Sequence, residues 1–405
     1  MINPNKIKRI EIWWDQFPLQ LKLITKIRFL ASFGAGGVIY LTSLIFNDIG
    51  LSATEIGLGF TISAVFGTVS RIIAGNYLNK KTNIKPPLRL SSLFGIIASF
   101  ILIFSYNKIS YIIGQIFIGS AAGIYWPCVE FAVPNFCQSI DNRKAYALVR
   151  SFEATGIFIG VITGSILSLF VYIKFVYFID LICILIILNL IENNKRNLEV
   201  KKSISDTKRE YSKKNWDKNS YLIIMGIILI TTCLALVQVT LPLDLVSGGI
   251  SRNPIRSEFA SYLISFQLIL LLILQWPIGN WISKKGRLFG LKLSLFSFGF
   301  SAILLSASSY LDSILGIFLI IIAIIICVIA TTSFLPSSTD IIFQIAPFNK
   351  KGSAFALLSQ CFAMGYFVQI IAGRLLDYFG NASNIWVGIF LSCFLILSFL
   401  MNKRI

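Results

Sequence analysis

The sequence predicts an all-α integral membrane protein: 12 transmembrane helices arranged as two pseudo-symmetric six-helix bundles. Three observations carry that expectation: the composition, the regular recurrence of long apolar runs, and a repeat between the two halves of the chain. Of 405 residues 56% are hydrophobic and only 13% are charged, against roughly 25% charged in an average soluble domain. A bilayer-spanning helix consumes about 20 predominantly apolar residues, so the apolar content suffices for about a dozen of them.

Taken in order, residues 1–28 form a polar or amphipathic N-terminal segment in which Trp13 and Trp14 stand beside Lys6, Lys8 and Arg9, a pattern suited to lying on a membrane surface. No small-residue cleavage site follows it, so it is not expected to be a removable signal peptide. Apolar runs of spanning length then fall at residues 29–47, 56–78, 88–106, 110–134, 145–169 and 173–191. A Lys-, Asn- and Ser-rich stretch over 192–220 reads as a linker, and six further runs follow at 221–243, 259–282, 288–309, 313–334, 354–376 and 385–401. This gives an N-terminal bundle over 29–191 and a C-terminal bundle over 221–405.

An even number of spans puts both termini on one side, and the basic residues choose the side. Of 36 Lys and Arg, 29 fall in the termini and in the loops after spans 2, 4, 6, 8 and 10, while the opposite loops hold only Lys108, Lys174, Arg252 and Arg256. By the positive-inside rule both termini are expected in the cytoplasm, in a multi-pass protein of the plasma (inner) membrane. The net charge of +18 is therefore accounted for by topology and attraction to the anionic leaflet, and no nucleic-acid partner is expected.

Composition also excludes chemistry. The chain has no histidine, so a Ser-His protease, a His-dependent acyltransferase, a His-ligated metal and a His proton relay are all ruled out. The seven cysteines lie in or beside apolar runs without CxxC spacing and read as small buried hydrophobes. No phosphate-binding glycine loop is present, so direct ATP drive, enzymatic activity and a cofactor are not expected.

The halves repeat in register. Gly75-Asn76-Tyr77-Leu78-Asn79-Lys80-Lys81 after span 2 returns as Gly279-Asn280-Trp281-Ile282-Ser283-Lys284-Lys285 after span 8. Ala145-Tyr146-Ala147-Leu148-Val149 returns 209 residues later as Ala354-Phe355-Ala356-Leu357-Leu358, and Pro127 and Pro336 share that offset. With Gly286 and Arg287 completing the second copy, these turns resemble the signature of the major facilitator superfamily; the first copy departs from it at Thr82. The resemblance covers the chain from span 1 to span 12. It implies two halves rocking about a central site to move small solutes by alternating access. In such turns glycine would let helices approach closely, and Lys80, Lys284 and Arg287 would pair with Glu130 and Asp340 when the cavity closes on that side.

Ionisable residues inside a span are costly and mark function by default. Arg150 and Glu153 are adjacent on one helix face, and Gly156, Gly160 and Gly164 continue it within a sector of about 120°. The run resembles the glycine-rich motif on span 5 of the family's exporters, without the Gly-Pro that accompanies it there. Arg150 and Glu153 read either as a coupling pair or as a structural lock between helices. Where proton-coupled exporters of the family carry an Arg in span 4, this chain has Gln115. By analogy with the family the cavity is lined by Tyr40, Gln115, Trp126, Gln238 and Thr332, with Gln267, Gln360 and Gln369 from spans 8 and 11. Asp180 and Arg71 have weaker claims. The aromatic, amide-rich set favours a neutral or amphipathic organic solute.

The expected function is a secondary transporter, foremost a proton-coupled exporter; a facilitator or nutrient importer is the alternative, and a non-transporting receptor or scaffold of the same fold a further one. The expected partners are a small-molecule substrate, protons and the lipid bilayer, with the chain monomeric.

Overall fold

The computed structural model describes residues 14–80, 83–137, 140, 142–169, 173–194, 198, 218–285, 287–345 and 360–402. With no water in a bilayer core to satisfy backbone N–H and C=O groups, a chain this apolar must close its hydrogen bonds within each segment, which is what helices do. In chain order they are α1 (Leu19–Asp48), α2 (Ala53–Lys80), α3 (Lys85–Ile103), α4 (Lys108–Phe136), α5 (Asn142–Ser168), α6 (Phe175–Asn193), α7 (Lys218–Ser247), α8 (Ser257–Lys285), α9 (Arg287–Ser308), α10 (Ser313–Ile345), α11 (Gln369–Phe379) and α12 (Ser383–Asn402). Residues 360–367 are also helical and lead into α11 through a turn at Val368. Eleven of the helices are long and apolar enough to cross a membrane.

Among the described residues the expected runs lie largely on helices, and several helices outrun the apolar stretch. α1 begins at Leu19, ten residues ahead of the expected start, and α10 continues to Ile345. Hydropathy registers only the hydrocarbon-embedded part, whereas a helix continues past it wherever polar residues keep backbone bonding intact. Most of the 192–220 linker, the segment 1–13 and the start of the run at 354–376 lie outside the described residues.

The packing repeats with the sequence. In the first half α2 packs on α4, α1 on α5 and α6, and α3 on α4 and α6. In the second, α8 packs on α10, α7 on α11 and α12, and α9 on α10 and α12. Across the halves α2 meets α11 and α5 meets α8, a pair of contacts related by the same six-helix offset, while α1 meets α7.

Two glycine expectations separate here. The Arg150 to Gly164 sector of α5 is turned onto α1: a Cβ on Gly156 would come within 2.6 Å of the Phe29 carbonyl oxygen, and one on Gly160 would collide with that of Phe33. At Gly75 and Gly279, by contrast, an added Cβ would meet nothing within 4 Å. In this state no described atom of another helix packs on those turn glycines.

Arg252, expected in an exposed loop, is also placed differently. It is 2% exposed, folded back to Asp244 at 3.1 Å, with Ser308 Oγ accepting from Nη1 at 2.8 Å and Trp386 Nε1 donating to Asp244 at 2.9 Å. A buried charge must be paired and hydrogen-bonded. Arg252 meets that demand by tying the α7–α8 loop to α9 and α12. All seven cysteines are buried and free.

Candidate functional site

We call the face where α1 begins the near face and the one where it ends the far face. At the far face the halves are joined. The Asp377 carboxylate at the end of α11 accepts from Ala53 N at 2.9 Å and Thr54 N at 2.8 Å, capping the first turn of α2. Ser257 donates to Asp48 at 2.5 Å, and Ser165 Oγ lies 2.6 Å from Ser265 Oγ. Among the described residues, cross-half bonds continue down α2 through Thr61 to the Tyr366 carbonyl at 3.2 Å and Gln360 to Thr68 at 3.0 Å, ending at Arg71 with Gln360 at 3.4 Å. At 1.5 Å per residue, Ala53 to Arg71 covers about 27 Å of helix, so the seal runs from the far face about two-thirds of the way down α2.

Within this frame two polar groups sit at different depths. The upper one joins Tyr40 of α1, Gln238 of α7 and Tyr366. Gln238 donates through Nε2 to Tyr40 Oη at 3.2 Å and accepts from Tyr366 Oη through Oε1. Phe60 of α2 stacks on Tyr366 with ring centroids 6.0 Å apart. A single amide thus bridges the halves, with both its ends used. Tyr366 was not singled out from sequence, since nothing local distinguishes it from the other aromatics of an apolar run.

The lower group is a four-charge cluster about 18 Å nearer the α1 start, twelve residues back along that helix. Glu153 of α5 lies 2.8 Å from Arg28 Nη2 and accepts from Arg150 Nη1 at 3.0 Å. Arg150 Nη2 in turn donates to Glu130 at 2.9 Å, and Glu130 stands 3.9 Å from Arg28. The Arg28 guanidinium lies over Trp126, 3.7 Å from the ring centroid, with Tyr125 at 5.7 Å. Arg28 is 1% exposed and Glu153 9%, whereas the side chains of Arg150 and Glu130 are 50% and 35% exposed. The cluster is therefore rooted behind α4 and α5 and opens on one side.

Arg28 is the main departure from the sequence reading, which counted it among the cytoplasmic basic residues of segment 1–28. It belongs inside α1, one turn below Ser32 and level with Glu153. Hydropathy cannot place an Arg at the start of an apolar run inside or outside the span. The available signal was its spacing on the same face as Thr25 and Ser32, both buried.

The remaining expected residues divide. Trp126 joins the cluster rather than an open cavity wall. Thr332 is spent on the Val328 carbonyl of its own helix at 2.8 Å. Gln369 accepts from Thr240 at 2.9 Å, Gln360 joins α2, and Gln115 and Gln267 are buried. Glu130, expected opposite the Lys80 turn, is drawn into the cluster by Arg150. The side chains of Asn79, Lys80, Lys284, Arg287 and Asp340, and Gly286, lie outside what is described. Asp180 of α6 accepts from Ser99 at 2.7 Å beside Gly34.

The comparisons with known proteins agree with this arrangement. The chain resembles the solved nucleoside transporter NupG, with a TM-score of 0.74 at 14% identity over 95% of this chain and 98% of that one. A POT family transporter solved in complex with 5-aminolevulinic acid gives a TM-score of 0.78 at 12% identity, over 95% and 96% of the two chains. At such identities the likeness speaks for the fold alone. A curated relative, "Protein TsgA homolog" of Buchnera aphidicola subsp. Baizongia pistaciae (strain Bp), is 29% identical over 177 residues, 42% of this chain and 45% of that protein. The match thus spans less than half of the relative. Residues 27–368 match the family model described as Major Facilitator Superfamily. With two six-helix halves sealed at one face, a polar bridge between α1 and α7, and that match over most of its length, the chain belongs to the Major Facilitator Superfamily and is a secondary transporter rather than an enzyme.

Proposed function

We propose that this protein carries a small organic solute across the plasma (inner) membrane coupled to protons, acting as a monomer with both termini in the cytoplasm. The near face is then cytoplasmic, and the far-face seal describes an inward-facing state. The observation that carries the coupling is Glu153, a carboxylate within a span, pressed between Arg28 and Arg150. With no histidine in the chain, a carboxylate is the group left to load and release a proton. Two arginines pair with Glu153, so protonation requires that something take its place on them or that helix motion part them. The Tyr40, Gln238 and Tyr366 bridge closes the solute space from the far side and offers amide and phenol groups to a polar cargo.

Direction follows from how proton and cargo share the cluster. Export, the reading favoured by sequence, requires that they compete; uptake requires that they bind together. The two arginines around Glu153 favour the second mode, since a cation gains nothing there and an anion gains a partner. The glycine face of α5, which resembles the exporters' motif without its Gly-Pro and so does not itself argue for antiport, packs α5 on α1 inside one half. The coupling is tested with Glu153→Gln in proteoliposomes, which keeps size and hydrogen bonding but not charge. Gradient-driven accumulation should be lost while counterflow exchange persists. Accumulation with unaltered pH dependence would make Glu153 structural and leave a facilitator.

A further inference from the structure

A buried guanidinium normally spends its five donors, because each unmade bond leaves the full desolvation cost of the group standing. Arg28 does not. Among the described residues Nε and Nη1 make no hydrogen bond, and Nη2 has only its ion-pair contacts, the closest at 2.8 Å with Glu153. The phenol oxygen of Tyr125 beside it is likewise buried and, among the described residues, has no partner other than the Arg28 guanidinium. Trp126 covers one face of the guanidinium, which fixes its plane and leaves its edge, where a carboxylate binds bidentately.

We propose that Arg28 is the cargo-recognition residue and that the cargo is a small monocarboxylate, which displaces Glu153 from the guanidinium edge while Glu153 takes a proton. This rests on the transport reading above and names its substrate class. The charge count requires the proton: two arginines and two glutamates are neutral together, and a further carboxylate without a proton would leave an unpaired charge in the membrane interior. Glu153 has a second place to go, since Arg150 already donates to it. The groups facing Glu153 are Arg28 from α1 and Arg150 from its own helix, with Glu130 and Tyr125 from α4 next in line and Tyr40 farther along α1. Among the described residues α6 and α8, which also pack on α5, bring it no charge. The proton comes from water on the open side, past Arg150 and Glu130. One guanidinium edge suits one carboxylate, so dicarboxylates and phosphates are disfavoured.

The test uses the purified full-length protein in detergent and a panel of monocarboxylates from acetate to phenylacetate, each beside its primary amide. Binding is read by thermal shift and by proton uptake in weakly buffered solution. At least one acid should stabilise the protein where its amide does not, with about one proton taken up per acid bound and affinity falling about tenfold per pH unit once Glu153 must be titrated. Glu153→Gln, which removes the internal competitor, should bind the acid at least about tenfold tighter and without proton uptake, whereas a purely structural cluster would only be weakened by it. Arg28→Lys, which keeps charge but loses the bidentate edge, should bind about tenfold or more weakly. If no acid outperforms its amide on either the wild type or Glu153→Gln, the proposal is wrong. That result leaves proton coupling intact, because coupling is decided separately by accumulation in the Glu153→Gln proteoliposomes.

Discussion

Asp377→Asn is the most direct test of the far-face seal. The native carboxylate uses one oxygen on Ala53 N and the other on Thr54 N, so it caps α2 from the opposite half of the protein. Asparagine keeps one acceptor and places a donor where the second was, and it removes the charge that faces the positive end of α2. A hydrogen bond to a charged group contributes about 1.5–3 kcal/mol and the dipole contact about 0.3–1 kcal/mol; with Asp377 exposed, the low end applies, and a loss of about 1.5 kcal/mol is expected. Because the contact exists only while the far face is closed, that loss acts on the conformational equilibrium and moves it about tenfold toward the far-side-open state. The assay is maleimide labelling of a cysteine placed at Ser265, 7% exposed and against Ser165 in the closed state, in reconstituted protein. The native cysteines are buried and supply a low background. Labelling should quicken about tenfold when Asp377→Asn is added to the Ser265→Cys background. A rate unchanged within twofold would show that the cap contributes nothing to gating and that the seal depends on the serine contacts of α5 and α8.

Other outcomes follow from the sequence and the fold. Cysteine at Ser203 should resist an impermeant maleimide in intact cells while cysteine at Ser251 labels, and the reverse pattern would invert the assigned orientation. Arg252→Ala should destabilise the protein by about 3–5 kcal/mol in thermal unfolding by stranding Asp244 without a cation, and a double change to Arg252→Met with Asp244→Asn should recover most of that. Asp340→Asn, through the turn at Lys284 and Arg287, should weaken near-face closure by about 1–3 kcal/mol and raise cysteine accessibility from that side; equal accessibility would remove Asp340 from the gate.

Sequence recovers what is periodic and loses what depends on meeting in space. The spans were legible because the bilayer imposes one length on every helix, and the glycine sector of α5 because angular position follows from spacing alone; both Gly156 and Gly160 do face α1. The Arg150 and Glu153 pair was legible for the same reason, being one turn apart. Arg28 and Glu130 reach the same cluster from α1 and α4, more than a hundred residues apart, and no local pattern ties them. Asp377 and Ala53 are separated by 324 positions and join opposite halves, so the seal belongs to the closed state rather than to either segment. The cavity-lining set fared according to the same rule. Gln238 and Tyr40 occupy matching depths on helices related by the internal repeat, and they meet. Thr332 was chosen by helix identity, and a threonine hydroxyl can always turn back to its own helix. The charged cluster was the part least legible: Arg28 was present in the sequence, but it stood at the edge of an apolar run, where composition cannot tell a cytoplasmic anchor from a buried partner.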